Sequence, residues 1–236
     1  MLPRHLTLTL DARHPTRLAR FWADLLGQDT VADGTGGVRL PGTDTRPDLR
    51  FVPGRPHRTG PHRMHLHLTS DSPDDQQRQV ARAIALGGSH LDVGQLPEET
   101  HVVLADPEGN EFCVIGPGNT FLAGCGRLGE VACDGTREVG LFWSRALGWP
   151  LVWDQDQETA VQAPHGGTKV AWGGPPVAPQ RGPNPQRFDL AAAGTDPSTE
   201  VDRLVALGAT RLDTTTADGI VLLADPDGNV FGVTTG

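Results

Sequence analysis

The 236-residue chain contains no tyrosine and a single lysine, Lys169. A tyrosine acid is excluded from any mechanism, and a Schiff base could form only at that one amine. Cysteine is scarce and odd in number. Cys113, Cys125 and Cys133 stand at spacings that suggest no disulfide framework, which reads as a reduced, cytoplasmic protein. No apolar run reaches membrane-spanning length, and the opening Met1-Leu2-Pro3-Arg4-His5 leads into an alternating stretch, unlike a signal peptide. Basic charge is in deficit. A net charge of −9 argues against nucleic acid or an anionic membrane as the main partner and suits small molecules, neutral or cationic. With 37% hydrophobic and 21% charged residues the chain can bury a core, while 30 glycines and 20 prolines argue against an all-helical bundle.

What is present is a repeat of a repeat. Phe21-Trp22 with Leu26-Gly27 returns as Phe142-Trp143 with Leu147-Gly148, and Ala85-Leu86-Gly87 returns as Ala206-Leu207-Gly208. Leu104-Ala105-Asp106-Pro107-Glu108-Gly109-Asn110 returns as Leu223-Ala224-Asp225-Pro226-Asp227-Gly228-Asn229. The chain therefore divides into two copies, 1–120 and 126–236. Evenly spaced Leu-Gly pairs divide each copy again, giving four units.

Each unit reads the same way. Leu18, Phe21, Trp22, Leu25 and Leu26 make one apolar helix face, closed by Gly27. Ser72-Pro73 and Asp196-Pro197 open the second and fourth helices, whereas the third has weak start signals. Leu6, Leu8 and Leu10 alternate with His5, Thr7 and Thr9 as a strand, and His65-Leu66-His67-Leu68 repeats the pattern. The Asp-Pro-x-Gly-Asn segments read as hairpin turns. His57 and His62 fall among prolines and glycines and read as loop residues, and the proline-rich stretch 173–185 is also a loop. Each unit is a strand, a helix and about three more strands, which makes an α+β protein.

Four βαβββ units carrying the Phe-Trp-x-x-x-Leu-Gly helix end and the Asp-Pro-(Glu/Asp)-Gly-Asn hairpin resemble the vicinal oxygen chelate superfamily, in particular its tandem glyoxalase-like and bleomycin-resistance-like proteins. The resemblance implies two tandem glyoxalase-like domains with cup-shaped antiparallel sheets, one cup per half, each holding a small ligand on its concave side. It also implies where a divalent metal would sit in the metalloenzymes: a histidine on the first strand, another on the fifth, and a carboxylate seven residues after the hairpin aspartate. Here His5 and His65 match the histidines, but Cys113 occupies the carboxylate position and Arg50 the place of a further glutamate. No metal is expected on that count. The alternative is a divalent ion held by His5, His65 and the displaced carboxylate Glu111.

The same strands offer other chemistry. His65 and Glu111 are candidates for proton transfer, while His5, Arg50, His67 and Cys113 are candidate ligand contacts. All six are expected to converge on one cavity in the first half. A lone strand cysteine is otherwise a small buried hydrophobe. In the second half the corresponding positions are Leu128, Ala171, Arg187, Val230 and Gly232, so no metal set survives. Trp172 beside Arg187 could instead stack a planar ligand there, whereas Trp143 on the apolar stripe belongs to the core.

Three readings stay open: a protein that sequesters a small molecule, a metal-independent lyase, isomerase or cyclase, and a metal-dependent lyase or dioxygenase. The small molecule is the expected partner. The chain is expected to be a monomer whose halves form an internal pseudo-dimer, or a homodimer.

Overall fold

Strict alternation from Leu6 to Leu10 places three leucines on one side of a strand, and that side is buried against helices. The computed structural model describes residues 5–54, 63–96, 98–179, 184–192, 194, 196–216 and 218–235. Met1–Arg4, His57, His62 and part of the proline-rich loop lie outside the described residues. The first unit runs β1 (Leu6–Ala12), α1 (Pro15–Leu26), β2 (Val31–Ala32), β3 (Val38–Leu40) and β4 (Asp48–Pro53). The second runs β5 (Met64–Leu68), α2 (Pro73–Ala85), β6 (Ser89–His90), β7 (Val102–Ala105) and β8 (Glu111–Val114). The third follows with β9 (Leu128–Cys133), α3 (Arg137–Leu147), β10 (Leu151–Gln155), β11 (Glu158–Gln162) and β12 (Lys169–Trp172). The fourth is β13 (Gln186–Ala192), α4 (Pro197–Ala206), β14 (Thr210–Thr215), β15 (Val221–Ala224) and β16 (Val230–Thr235). No strand crosses residues 117–126. Among the described residues no helix is long and apolar enough to cross a membrane.

Local chemistry sets the helix ends. Gly27 and Gly148 take left-handed conformations, φ +67° and +71°, where a side chain would be strained. The Ser72 hydroxyl accepts the Asp75 N–H at 3.1 Å, and Asp196 accepts the Ser198 N–H at 3.2 Å. Helices α1 and α3 lack such local caps because a distant residue supplies them. Glu108 accepts the backbone N–H groups of Arg13 and His14, both at 2.7 Å, and Asp227 accepts the N–H and hydroxyl of Thr136 at 2.6 and 2.8 Å. A carboxylate at the positive end of each helix is favourable on charge grounds as well.

The repeated motifs meet in the core. Asp106 accepts the Trp22 indole N–H at 3.2 Å, together with the backbone N–H groups of Glu108 and Asn110 and the Asn110 side-chain amide. Asp225 is held in the same way by Trp143, Asp227 and Asn229. Burial pushes both carboxyls up, and these hydrogen bonds work against that shift. Trp143 is a core residue, its ring edge-on to Phe188 and Phe231.

The sheets do not follow the halves. One eight-stranded sheet has the order β14-β15-β16-β13-β1-β4-β3-β2 and joins the first unit to the fourth. The other, β10-β11-β12-β9-β5-β8-β7-β6, joins the third unit to the second. The seams are antiparallel, Leu8 facing Phe188 in one and Leu66 facing Val131 in the other. Within each unit the first and fourth strands run parallel, so the sheets are mixed. One hydrophobic core spans both, because α1 lies on the first sheet and still touches β8 of the second through Phe21 and Phe112.

Trp22→Phe should lower stability by about 1–3 kcal/mol, since it removes a donor from a buried carboxylate. Glu108→Ala should cost about 0.5–2 kcal/mol as the loss of a cap. Trp143→Phe should match Trp22→Phe. Urea denaturation of the three variants measures each difference.

Candidate functional site

Two sheets give two helix-free faces, and the expected single cavity does not form. His5 and Arg50 belong to the first sheet, whereas His65, His67, Glu111 and Cys113 belong to the second. The reason is the pairing of the first unit with the fourth, which carries β1 away from β5.

On the first sheet the polar groups satisfy one another. His5 Nε2 lies 2.7 Å from Asp48 Oδ1, and Arg39 donates to the other oxygen of Asp48 at 3.1 Å. Arg50 donates to Asp33 at 2.9 Å, Asp218 at 2.8 Å and Thr35 at 3.0 Å, so its guanidinium is committed to the protein. Arg187 donates to Asp189 at 3.0 Å, and Asp189 also accepts the Thr9 hydroxyl at 2.6 Å. Asp11 stands 3.8 Å from Arg187, and burial raises its pKa against the pull of that cation. Trp172 does not join this set. It lies in β12 of the second sheet, 2% exposed in the core, and so reaches neither Arg187 nor a helix-free face.

The second sheet presents two rows on its helix-free face. Val103, Cys113, His67, Glu130, Lys169 and Gln162 form the first by register. The next row, one pleat along, holds Ala105, Glu111, His65, Ala132, Ala171 and Ala160. His67 Nδ1 lies 2.7 Å from Glu130 Oε2, and the His65 and His67 ring centroids are 4.7 Å apart. The Glu111 carboxylate forms no hydrogen bond or ion pair among the described residues. Burial, with Glu111 and Glu130 nearby, pushes the Cys113 thiol up to about 12, which removes it as a nucleophile at neutral pH.

The turns at 116–127 lie across this face. Leu122 and Cys125 pack on Val103, Cys113 and Ile115. Lys169 donates to the Phe121 carbonyl and sits 4.1 Å over its ring, while Trp153 meets that ring edge-on at 5.9 Å. Gly129 makes room for the crossing, because a Cβ there would stand 2.7 Å from Thr69 Cγ2 and 3.2 Å from Leu122 Cδ1.

The metal set that the resemblance implies does not assemble. His5 is in the other sheet from His65 and Glu111 and is already bonded to Asp48, and Arg50 brings a cation where a carboxylate is needed. Sequence reasoning missed Glu130 and Lys169 because it sought partners within one half. It missed Asp48 because a buried aspartate in an alternating strand carries no motif.

The hydrogen bond to Asp48 outweighs burial and raises the His5 pKa above its ordinary 6.5. Burial opposes the shift at Asp48, yet the bonds from His5 and Gly42 hold its carboxyl below 3.8. Stabilisation from the pair is therefore present between these ordinary values. It is lost as pH rises through the raised pKa of His5 and as pH falls through the lowered pKa of Asp48. An NMR titration should place the His5 midpoint above 6.5 in the wild-type chain and lower it in Asp48→Asn.

Comparison with known proteins agrees with this architecture. The sequence model of the glyoxalase-like domain matches twice, over residues 7–115 and 130–234. No curated protein matches the chain. A point mutant of glyoxalase I from Zea mays superposes with a TM-score of 0.64 at 14% identity, covering 98% of this chain and 93% of that one. The putative dioxygenase from Bacillus subtilis subsp. subtilis str. 168 superposes at 0.58 with 16% identity, covering 100% and 85%. These likenesses show the fold. With both halves matched by one domain model, the chain belongs to the glyoxalase-like domain family, as a tandem member of the vicinal oxygen chelate superfamily.

Proposed function

We propose that the chain binds a small organic molecule on the helix-free face of the second sheet, with His65 and Glu111 as its polar contacts. The observation that carries this reading is the row of alanines at 105, 132, 160 and 171 around those two residues. Ala132 and Ala171 keep partial exposure on the same row as His65, so short apolar side chains flank the polar pair there. Small-molecule sites combine apolar walls with a few placed polar groups in this way. Glu111 and Glu130 favour a neutral or cationic ligand, since Lys169 is engaged by Phe121. The first sheet is the weaker candidate because its charged groups already answer one another.

Glu111 also favours a second reading, a metal-independent lyase, isomerase or cyclase. Among the described residues the Glu111 carboxylate has no partner, which suits a general base, and His65 on the same row is the matching acid.

A panel of small neutral and cationic organic molecules, screened by thermal shift on the full chain, should yield stabilising compounds. Their effect should vanish in Ala171→Phe, which fills the face, while the far-UV spectrum of the variant stays wild type. His65→Ala should weaken binding by about 1–3 kcal/mol. Mass spectrometry of the recovered compound separates sequestration, which returns it unchanged, from turnover. Compounds that stabilise Ala171→Phe as well as the wild-type chain would place the site elsewhere.

A further inference from the structure

Away from both helix-free faces, the outer side of α1 concentrates positive charge in a chain whose net charge is −9. Arg13, Arg17 and Arg20 line one open cavity of about 670 Å³, beside Phe21 and Leu86. Arg17 and Arg20 stand about one helical turn apart on α1, and Arg13 lies just before it. Their guanidinium groups form no hydrogen bond or ion pair among the described residues. That sets them apart, because Arg39, Arg50, Arg127, Arg137, Arg187 and Arg203 each meet a carboxylate. Asp24 is the one acid among the residues lining the cavity, so the three cations outweigh it. The Arg17 guanidinium reaches the turn after α2, 3.6 Å from where a Cβ on Gly87 would stand. Arg82 of α2 donates to the Asp24 carbonyl at 2.8 Å, which ties together the two helices that flank the cavity.

The repeat supplies an internal control. Aligned on Phe21-Trp22 and Phe142-Trp143, the places of Arg13, Arg17 and Arg20 are taken in the second half by Asp134, Glu138 and Leu141. Helix α3 forms without the cations and buries the same apolar stripe, so the fold does not require them. Three like charges around one cavity repel one another, and a bound anion turns that repulsion into attraction. We infer that this groove binds a phosphate group, either free or esterified to a small organic molecule. Guanidinium groups present paired N–H donors that match phosphate oxygens. The cavity has the size of a small-molecule site, and Phe21 and Leu86 offer apolar surface to an organic remainder. The helix start is not what carries the site, because Glu108 already accepts the N–H groups of Arg13 and His14. Nor does the inference rest on the ligand proposed for the second sheet, since this groove lies among the helices.

The test is calorimetric titration of the full chain at low salt with inorganic phosphate and, separately, with phenyl phosphate. One equivalent of probe should bind. Tighter binding of phenyl phosphate would identify an ester as the ligand, and equal affinity would identify free phosphate. Arg17→Ala and Arg20→Ala should each weaken binding about tenfold. Arg17→Glu combined with Arg20→Leu, which copies the second half, should abolish binding while the far-UV spectrum stays wild type. Arg211→Glu, the same charge change at an exposed strand residue, should bind as the wild type does, and so should Ala171→Phe. A wild-type chain that binds neither probe, or a folded double variant that still binds, would overturn the inference. So would an equal loss in Arg211→Glu, because net charge alone would then explain it. Should the double variant fail to fold, unchanged affinity in both alanine variants would overturn it equally. Phosphate binding with no organic ligand found for the second sheet would count against the proposed function alone.

Discussion

A carboxylate buried beneath an indole ties this molecule together. Asp106 takes the Trp22 N–H while Glu108, two residues on, closes the start of the same helix. The hairpin belongs to the second sheet and the helix lies on the first, so three hydrogen bonds within one turn of chain join the two layers. Asp225 and Asp227 repeat the clamp with Trp143 and Thr136. Once these clamps are formed, the orientation of each unit toward its neighbour is set, and the strands have little freedom in which seam they make. The clamp also explains why the Phe-Trp helix and the Asp-Pro-x-Gly-Asn hairpin travel as a pair: each is half of one contact.

Much of this was legible in the residues. The period of the repeat gave four units, and alternation gave the faces of β1 and β5. Proline, glycine and the Ser72 and Asp196 caps gave the helix ends. The missing start signal of α3 had a physical cause that no local pattern could reveal, since its cap comes from Asp227, 91 residues away. The pairing of units was equally hidden. The first strands of all four units alternate alike, so β1 could bury its leucines against β5 or β13, and the sequence of a repeat carries no preference between them.

That ambiguity decided how the candidate residues fared. His65, His67, Glu111 and Cys113 come from one unit, and their mutual placement follows from strand spacing alone, so they share one face. His5, Arg50 and Arg187 were assigned neighbours through a presumed pairing, and each turns out to be held by aspartates from elsewhere in its own sheet. Trp172 was misplaced by parity: Lys169 and Ala171 point to the helix-free face, which sends Val170 and Trp172 to the core.

The interlocking of the halves has a consequence for assembly. A half made alone would end in two bare seams, β1 and β5, each with backbone donors and acceptors and a leucine-lined side awaiting a partner. Within the chain those seams are answered by β13 and β9 from the other half, reached through the turns at 116–127. A second chain offers the same β13 and β9. Exchange of halves between two molecules therefore preserves both seams and both clamps and changes only the path of the connecting turns. Such an exchange would have to release Phe121, Leu122 and Cys125 from the second sheet, where they tie the connecting turns to their own chain.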